Sequence, residues 1–75
     1  MTEQKISLLL VDDHEVVRNG IRLMLAGDAR IEVTGEASTA REALNLIREQ
    51  EFDVALVELG LPDKPGLDLI KRMLS

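Results

Sequence analysis

A chain of 75 residues that is 45% hydrophobic, 31% charged and free of cysteine can form one small globular domain at most, without a disulfide framework or a thiolate metal site. Its net charge of −5 and its single aromatic residue, Phe52, argue against direct contact with nucleic acid, which requires a basic surface and, for single strands, stacking side chains. The first apolar run is too short to cross a bilayer, so we expect a cytoplasmic protein without membrane contact.

The first predicted element is a nearly unbroken apolar run that ends at two carboxylates. Residues Ile6 to Val11 read Ile-Ser-Leu-Leu-Leu-Val, and Asp12 and Asp13 follow directly. A run this short, without a polar face, is typical of a strand that is buried on both faces of a parallel sheet. Open parallel sheets bind ligands beyond the carboxyl ends of their central strands, so the sequence predicts an acidic pocket at this edge.

The stretch His14–Ala26 predicts an amphipathic helix, because apolar side chains recur at helical spacing with polar ones between them. Asp12 or Asp13 can cap its start. Gly20, in the middle of this helix, costs about 1 kcal/mol relative to alanine, and close packing against the sheet is the expected reason. We interpret Met24 as a core residue.

Two further strand–helix units follow along the chain. Alternation of apolar and polar residues over 31–36 predicts an edge strand, and Thr39 with Glu42 forms the capping-box signature of a second helix. The mostly apolar stretch Phe52–Leu59 predicts a second buried strand, and the loop 60–66, rich in proline and glycine, leads to a third helix. Right-handed crossovers and burial of the two apolar strands favour the strand order second, first, third.

In this order the third strand keeps one open edge. No other part of the sequence can cover Val54 to Val57 on that side, and exposed apolar edges pair with other chains. We therefore expect a homodimer in which two such edges, or a swapped element, complete a larger sheet.

Three carboxylates are predicted at the carboxyl ends of adjacent strands: Asp12, Asp13 and Glu58. Like charges in a small space repel unless they are protonated or neutralised by a cation. Mg²⁺ usually binds one or two protein carboxylates and leaves room for a phosphoryl oxygen, so this arrangement suits phosphoryl chemistry. The alternative is that each acid caps a helix or faces solvent.

Six short motifs can be compared with known families. They are Leu-Leu-Val-Asp-Asp-His, Val-Arg-Asn-Gly-Ile, Gly-Glu-Ala, Ala-Arg-Glu-Ala-Leu, Phe-Asp-Val-Ala-Leu-Val and Leu-Pro-Asp-Lys-Pro-Gly-Leu. In combination they resemble the receiver domain of bacterial response regulators, and the first and third look most like regulators with a LuxR-type helix-turn-helix output domain. The resemblance implies a flavodoxin-like (CheY-like) fold, a sensor histidine kinase as partner, and a role in a two-component phosphorelay that regulates transcription.

By that resemblance, Asp13 binds Mg²⁺ directly, Asp12 binds it mainly through water, and the backbone carbonyl of Gly60 is another ligand. Glu58, also a ligand in this scheme, occupies the phosphoacceptor position, where receivers carry an aspartate four residues before the proline, here Pro62. The longer side chain spoils in-line attack and places negative charge closer to where a phosphoryl group lies. Glu58 therefore blocks phosphorylation, imitates the phosphorylated state, or both, and it weakens Mg²⁺ binding.

The resemblance places His14 and Pro62 at the rim of the pocket. It also implies two more strands and helices, which carry a threonine or serine and a lysine of the phosphorylation site and are absent here. We therefore interpret residues 1–75 as a receiver truncated to three βα units, without its output domain.

Two other functions stay open. One is a small Mg²⁺-dependent phosphoryl hydrolase that uses Asp12 or Asp13 as nucleophile, although the sequence offers no recognisable catalytic lysine or serine for it. The other is a purely structural fragment that offers only its strand edge to partners.

Overall fold

Three strands and three helices alternate along residues 4–75, the part of the chain that the computed structural model describes. The elements are β1 (Ile6–Val11), α1 (Glu15–Leu25), β2 (Ile31–Ala37), α2 (Ala40–Glu49), β3 (Val54–Val57) and α3 (Gly66–Leu74). The strands form one parallel sheet in the order β2-β1-β3, so the predicted α/β fold and strand order are confirmed. No helix in this part of the chain is long and apolar enough to span a membrane.

β1 lies between the other two strands and is buried on both faces, as its apolar run predicts. Its residues from Leu8 to Val11 are 5% exposed or less. Leu10 faces α1. Leu9 lies on the opposite face, in the main core. That core consists of Leu9, Val11, Ala37, Ala40, Ala43, Leu61 and Leu69.

The α1 face of the sheet is less well covered than the face under α2 and α3. No residue of α1 is fully buried, and Val16, Leu23 and Met24 are 77–82% exposed. The prediction that Met24 is a core residue is wrong, because the helix turns this side chain to solvent. The expected close packing of Gly20 is also wrong, since no heavy atom lies within 4 Å of where a Cβ would be.

β3 is shorter and more exposed than its sequence predicts. It covers Val54–Val57 instead of Phe52–Leu59, and Val54 and Leu56 are each 49% exposed. Among the described residues it pairs with β1 alone, so its other edge is open, as predicted. Val54 and Leu56 pair with Leu8 and Leu10, so they lie on the α1 face of the sheet, which is the less well covered face.

β2 contains an irregularity that changes which side chains face α1. Its register with β1 skips Thr34, as in a β-bulge. Gly35 pairs with Leu9 and lies on the face of α2 and α3, whereas Glu36 pairs with Leu10 and lies on the face of α1. The predicted uniform alternation along this strand is therefore wrong, and the shift brings a glutamate to α1.

The start of α2 is capped from two directions. Thr39 Oγ1 accepts the backbone N–H of Glu42 at 3.1 Å, which confirms the predicted cap. Asp63, in the loop after β3, accepts the backbone N–H groups of Ala40 at 2.9 Å and Arg41 at 3.0 Å. The bond from Ala40 is the main reason why the pKa of Asp63 lies below its ordinary value. This cap therefore stabilises the fold above the unfolded-state pKa and is lost as the pH falls.

Gly66 and Gly20 offer a paired test of this packing. A Cβ on Gly66 would overlap the carbonyl oxygen of Glu58 and lie 2.8 Å from the Cα of Leu59, and backbone atoms cannot move aside cheaply. Gly66→Ala should lower the free energy of unfolding by about 3 kcal/mol. Gly20→Ala should raise it by about 0.5–1 kcal/mol, because a helix prefers alanine and the position is open. Urea denaturation measures both, and a Gly66→Ala variant as stable as the parent would contradict the close approach.

Candidate functional site

Two of the predicted acidic residues are held at the carboxyl edge of the sheet by strand pairing. Asp12 directly follows β1, and its backbone N–H donates to the carbonyl of Ala37 at 3.0 Å. Glu58 directly follows β3, and its backbone N–H donates to the carbonyl of Val11 at 2.8 Å. Adjacent parallel strands therefore bring Asp12 and Glu58 to the same edge, where open parallel sheets bind ligands.

Asp12, Asp13 and His14 form a cluster whose ligand atoms all lie within 4.8 Å of one another. Asp12 is only 8% exposed, and its Oδ1 lies 2.8 Å from both the backbone nitrogen and the ring Nδ1 of His14. The same Nδ1 lies 3.1 Å from Oδ1 of Asp13. The side chain of His14 is 62% exposed, in keeping with the rim position that the resemblance implies. Its contact with both carboxylates is a feature that the sequence reasoning missed, although the three residues are adjacent in the chain.

The charges of this cluster compensate one another. Burial by itself raises the pKa of Asp12, but hydrogen bonds from His14 and the charges of His14 and Arg18 outweigh it, so this pKa lies below its ordinary value. The hydrogen bond to Asp12, followed by the charge of Asp13, raises the pKa of His14, and the charge of Glu58 adds to this effect. The imidazolium is therefore a local counter-ion of the aspartate pair.

Glu58 turns its carboxylate to its own loop. Its Oε1 accepts the backbone N–H of Gly60 at 3.0 Å, and it lies outside the cluster of Asp12, Asp13 and His14. Glu58 and Asp12 nevertheless line one groove between α1 and β3. Joint metal binding by Glu58, the carbonyl of Gly60 and the aspartates stays a prediction, as does the rim role of Pro62, which is exposed in the same loop.

Arg18 is a second residue near the site that the sequence reasoning missed. Its guanidinium donates to the backbone carbonyl oxygen of Asp12, and its Nε donates to Oε1 of Glu36 at 3.2 Å. Arg22 lies 3.1 Å from the other oxygen of Glu36. No sequence signal reveals these contacts, because the β-bulge decides that Glu36 faces α1.

The donor set fits a divalent cation. Asp12 and Asp13 supply adjacent carboxylates at a sheet edge, one of them nearly buried, and oxygen ligands of this kind are those that Mg²⁺ prefers. His14 is a possible third ligand of the cluster, although imidazole suits Zn²⁺ or Ni²⁺ better than Mg²⁺.

Comparison with known proteins agrees with this geometry. The family described as the response regulator receiver domain matches residues 8–75. The chain belongs to this family. It is 40% identical over 70 residues to the DNA-binding transcriptional activator DevR/DosR of Mycobacterium tuberculosis, covering 93% of this chain and 32% of that relative.

Solved receiver structures match as well. The receiver domain of the putative response regulator NarL from Mycobacterium tuberculosis superimposes with a TM-score of 0.88 at 30% identity, over 95% of this chain and 57% of that one. A LuxR-family two-component response regulator from an Aurantimonas species gives a TM-score of 0.86 at 33% identity, over 93% and 50% of the two chains. The chain spans about a third of the length of the curated relatives it matches.

These findings establish the general function. The chain is receiver-domain sequence of a two-component response regulator, related to DNA-binding regulators of the LuxR family. Receiver domains generally bind Mg²⁺ at an acidic cluster. In the described part of this chain, the side chains that lie close enough together to hold a metal ion are those of Asp12, Asp13 and His14.

The single histidine of the chain makes the electrostatics of the cluster measurable. In metal-free buffer, NMR titration should give His14 a pKa above its usual 6.5. Asp12→Asn should lower this pKa most, because the hydrogen bond to Asp12 is the main cause of the shift, and Asp13→Asn should lower it less. Asp63→Asn, which changes charge at the cap of α2, should leave it unchanged.

Since the folded-state pKa of His14 is raised, its pairing stabilises the fold below the unfolded-state pKa. This contribution is lost as the pH rises through the folded-state pKa. A His14 pKa that is the same in the parent and in Asp12→Asn would contradict the pairing.

Proposed function

We propose that this chain is a receiver module that binds Mg²⁺ at Asp12 and Asp13 and signals by contact with partners, without turnover and without normal phosphorylation. The observation that carries the proposal is the cluster of ligand atoms within 4.8 Å at the carboxyl edge of the sheet. Strand pairing brings Glu58 to the same edge, and we assign the phosphoacceptor position to this residue.

The role proposed for Glu58 follows from its length and its hydrogen bond. The bond to the backbone N–H of Gly60 directs one carboxylate oxygen into the loop after β3. An attacking oxygen must approach phosphorus in line, and small misplacements are costly. Glu58 therefore blocks phosphoryl transfer, while its fixed negative charge at this edge imitates part of the charge of a phosphorylated aspartate.

The chain's own residues account for the rest of the mechanism. When Mg²⁺ is bound, it neutralises carboxylate charge and offers coordination positions to a phosphoryl oxygen. Asp12 and Asp13 would hold the ion, and His14 balances their charge in its absence. The groove that Glu58 shares with Asp12 leaves this edge accessible to a partner.

The partners proposed are a sensor histidine kinase, as for other response regulators of the family, and a second copy of this chain. The cytoplasm is the proposed location, and these residues are proposed to make no nucleic-acid contact, in line with the net charge of −5. Binding of DNA and regulation of transcription would belong to the whole regulator.

Millimolar Mg²⁺ should stabilise the protein. At ten times its Kd, a ligand of the folded state stabilises by about 1.4 kcal/mol, which is several degrees of Tm for a domain of this size. Asp13→Asn should remove this shift. Asp68→Asn, the same change on the exposed first turn of α3, should keep it. If Mg²⁺ does not change the Tm of the parent protein, the metal site is refuted and the interpretation as a purely structural fragment is favoured.

Glu58→Asp should restore an acceptor. Incubation with acetyl phosphate and Mg²⁺ should then add one phosphoryl group to the variant and none to the parent, as intact mass spectrometry measures. Equal labelling of both would mean that position 58 is misassigned. Continuous release of phosphate that Asp13→Ala abolishes and Glu58→Gln does not would favour the hydrolase.

Pairing through the open edge of β3 should make the protein dimeric. Val54 and Leu56 are exposed apolar residues of this edge strand, each 49% exposed. Lysine on an edge strand discourages pairing with another strand. The double variant Val54→Lys/Leu56→Lys should sediment as a monomer at concentrations where the parent is a dimer. Leu67→Lys, at a 54% exposed site on α3, is the matched control. A parent that is monomeric over a wide concentration range would defeat the dimer.

A further inference from the structure

We propose that Arg18 is a positioning residue of the acidic site, which it orients by holding the peptide bond between Asp12 and Asp13. This inference rests on the proposed Mg²⁺ site and adds a residue that acts on it without touching the ion. The contact that assigns this role is the hydrogen bond from the Arg18 guanidinium to the backbone carbonyl oxygen of Asp12.

That carbonyl belongs to the peptide group that joins the two aspartates, so its direction sets where the chain continues to Asp13. The other polar groups of Asp12 are also bonded. Its N–H donates to Ala37, and its carboxylate accepts from the N–H of His14. Arg18 therefore completes the fixation of Asp12, since a residue bonded at N–H, carbonyl and side chain cannot rotate freely.

Arg18 is itself held in place. Its side chain is 17% exposed, so the guanidinium has lost most of its water and depends on protein partners. Glu36 accepts from its Nε at 3.2 Å, and Arg22 binds the second oxygen of Glu36 at 3.1 Å. Two arginines on α1 thus fix one glutamate, and the glutamate fixes Arg18.

The β-bulge explains why this arrangement exists. Because β2 skips Thr34 in its pairing with β1, Glu36 lies beside Leu10 on the face of α1. Uninterrupted alternation would place it on the opposite face, out of reach of both arginines. The bulge, the glutamate and the arginine therefore form one connected support for the acid pair.

Arg18 and Arg22 make a matched pair of variants, because both bind Glu36 and only Arg18 reaches Asp12. In a titration of the full chain with Mg²⁺, followed by the backbone amide shifts of 12–14, Arg18→Gln should weaken binding by roughly 10- to 100-fold, the usual cost of losing a supporting contact. Arg22→Gln loosens Glu36 but keeps the bond from Arg18 to Asp12, so it should weaken binding much less. Arg18→Lys keeps a donor for the carbonyl and should recover part of the loss.

A second measurement needs no metal. Amide hydrogen exchange at His14, whose N–H donates to Asp12, should be faster in Arg18→Gln than in the parent, and the change in Arg22→Gln should be much smaller. Equal Mg²⁺ affinity of the two glutamine variants, or equal exchange at His14, would overturn the role of Arg18. If the parent itself does not bind Mg²⁺, the proposed function fails, and the exchange data then show separately whether Arg18 orders the segment.

Discussion

Burial of β1 on both faces is the constraint on which the site depends. Leu9 and Leu10 are 0% and 1% exposed on opposite faces of the sheet, so the strand can neither rotate nor slide without exposing one of them. The residue that follows the strand is thereby fixed in space. Asp12 therefore lies at the carboxyl edge with only 8% of its surface exposed. Burial of a carboxylate costs free energy unless the group is paired and hydrogen-bonded.

The structure meets that cost with groups close by in the chain. His14 follows two residues later, at the N-cap of α1, and Arg18 lies four residues after that, in the first turn of the helix. The strand that buries the acid and the helix that neutralises it are therefore consecutive elements. Such local compensation allows an acidic cluster to form before any cation binds.

Much of the fold could be predicted because the relevant signals are local. The apolar run of β1 and the capping pair Thr39 and Glu42 each express a preference of a few neighbouring residues, and the strand order follows from burying the apolar strands. The contacts of Asp63 with the start of α2 and of Arg18 with Asp12 and Glu36 could not be predicted in this way. They depend on the distance between loops and on the bulge in β2, which periodicity does not encode.

The open edge of β3 and the exposed face of α1 show the same division. Strand order alone predicts that one edge of β3 is free. The exposure of α1 at Val16 and Met24 could not be predicted, because an amphipathic sequence suggests that the apolar side of the helix packs on the sheet. Helical periodicity says that one side of a helix is apolar, and it does not say how much sheet is available to cover that side.

Gly66, the first residue of α3, packs against the backbone carbonyl of Glu58, and no space remains between them for a methyl group. The N–H of Gly66 also donates to the carbonyl of Leu59 at 2.8 Å. The backbone at position 58 and the beginning of α3 are therefore in direct contact. A displacement of that backbone would therefore act directly on the first residue of α3.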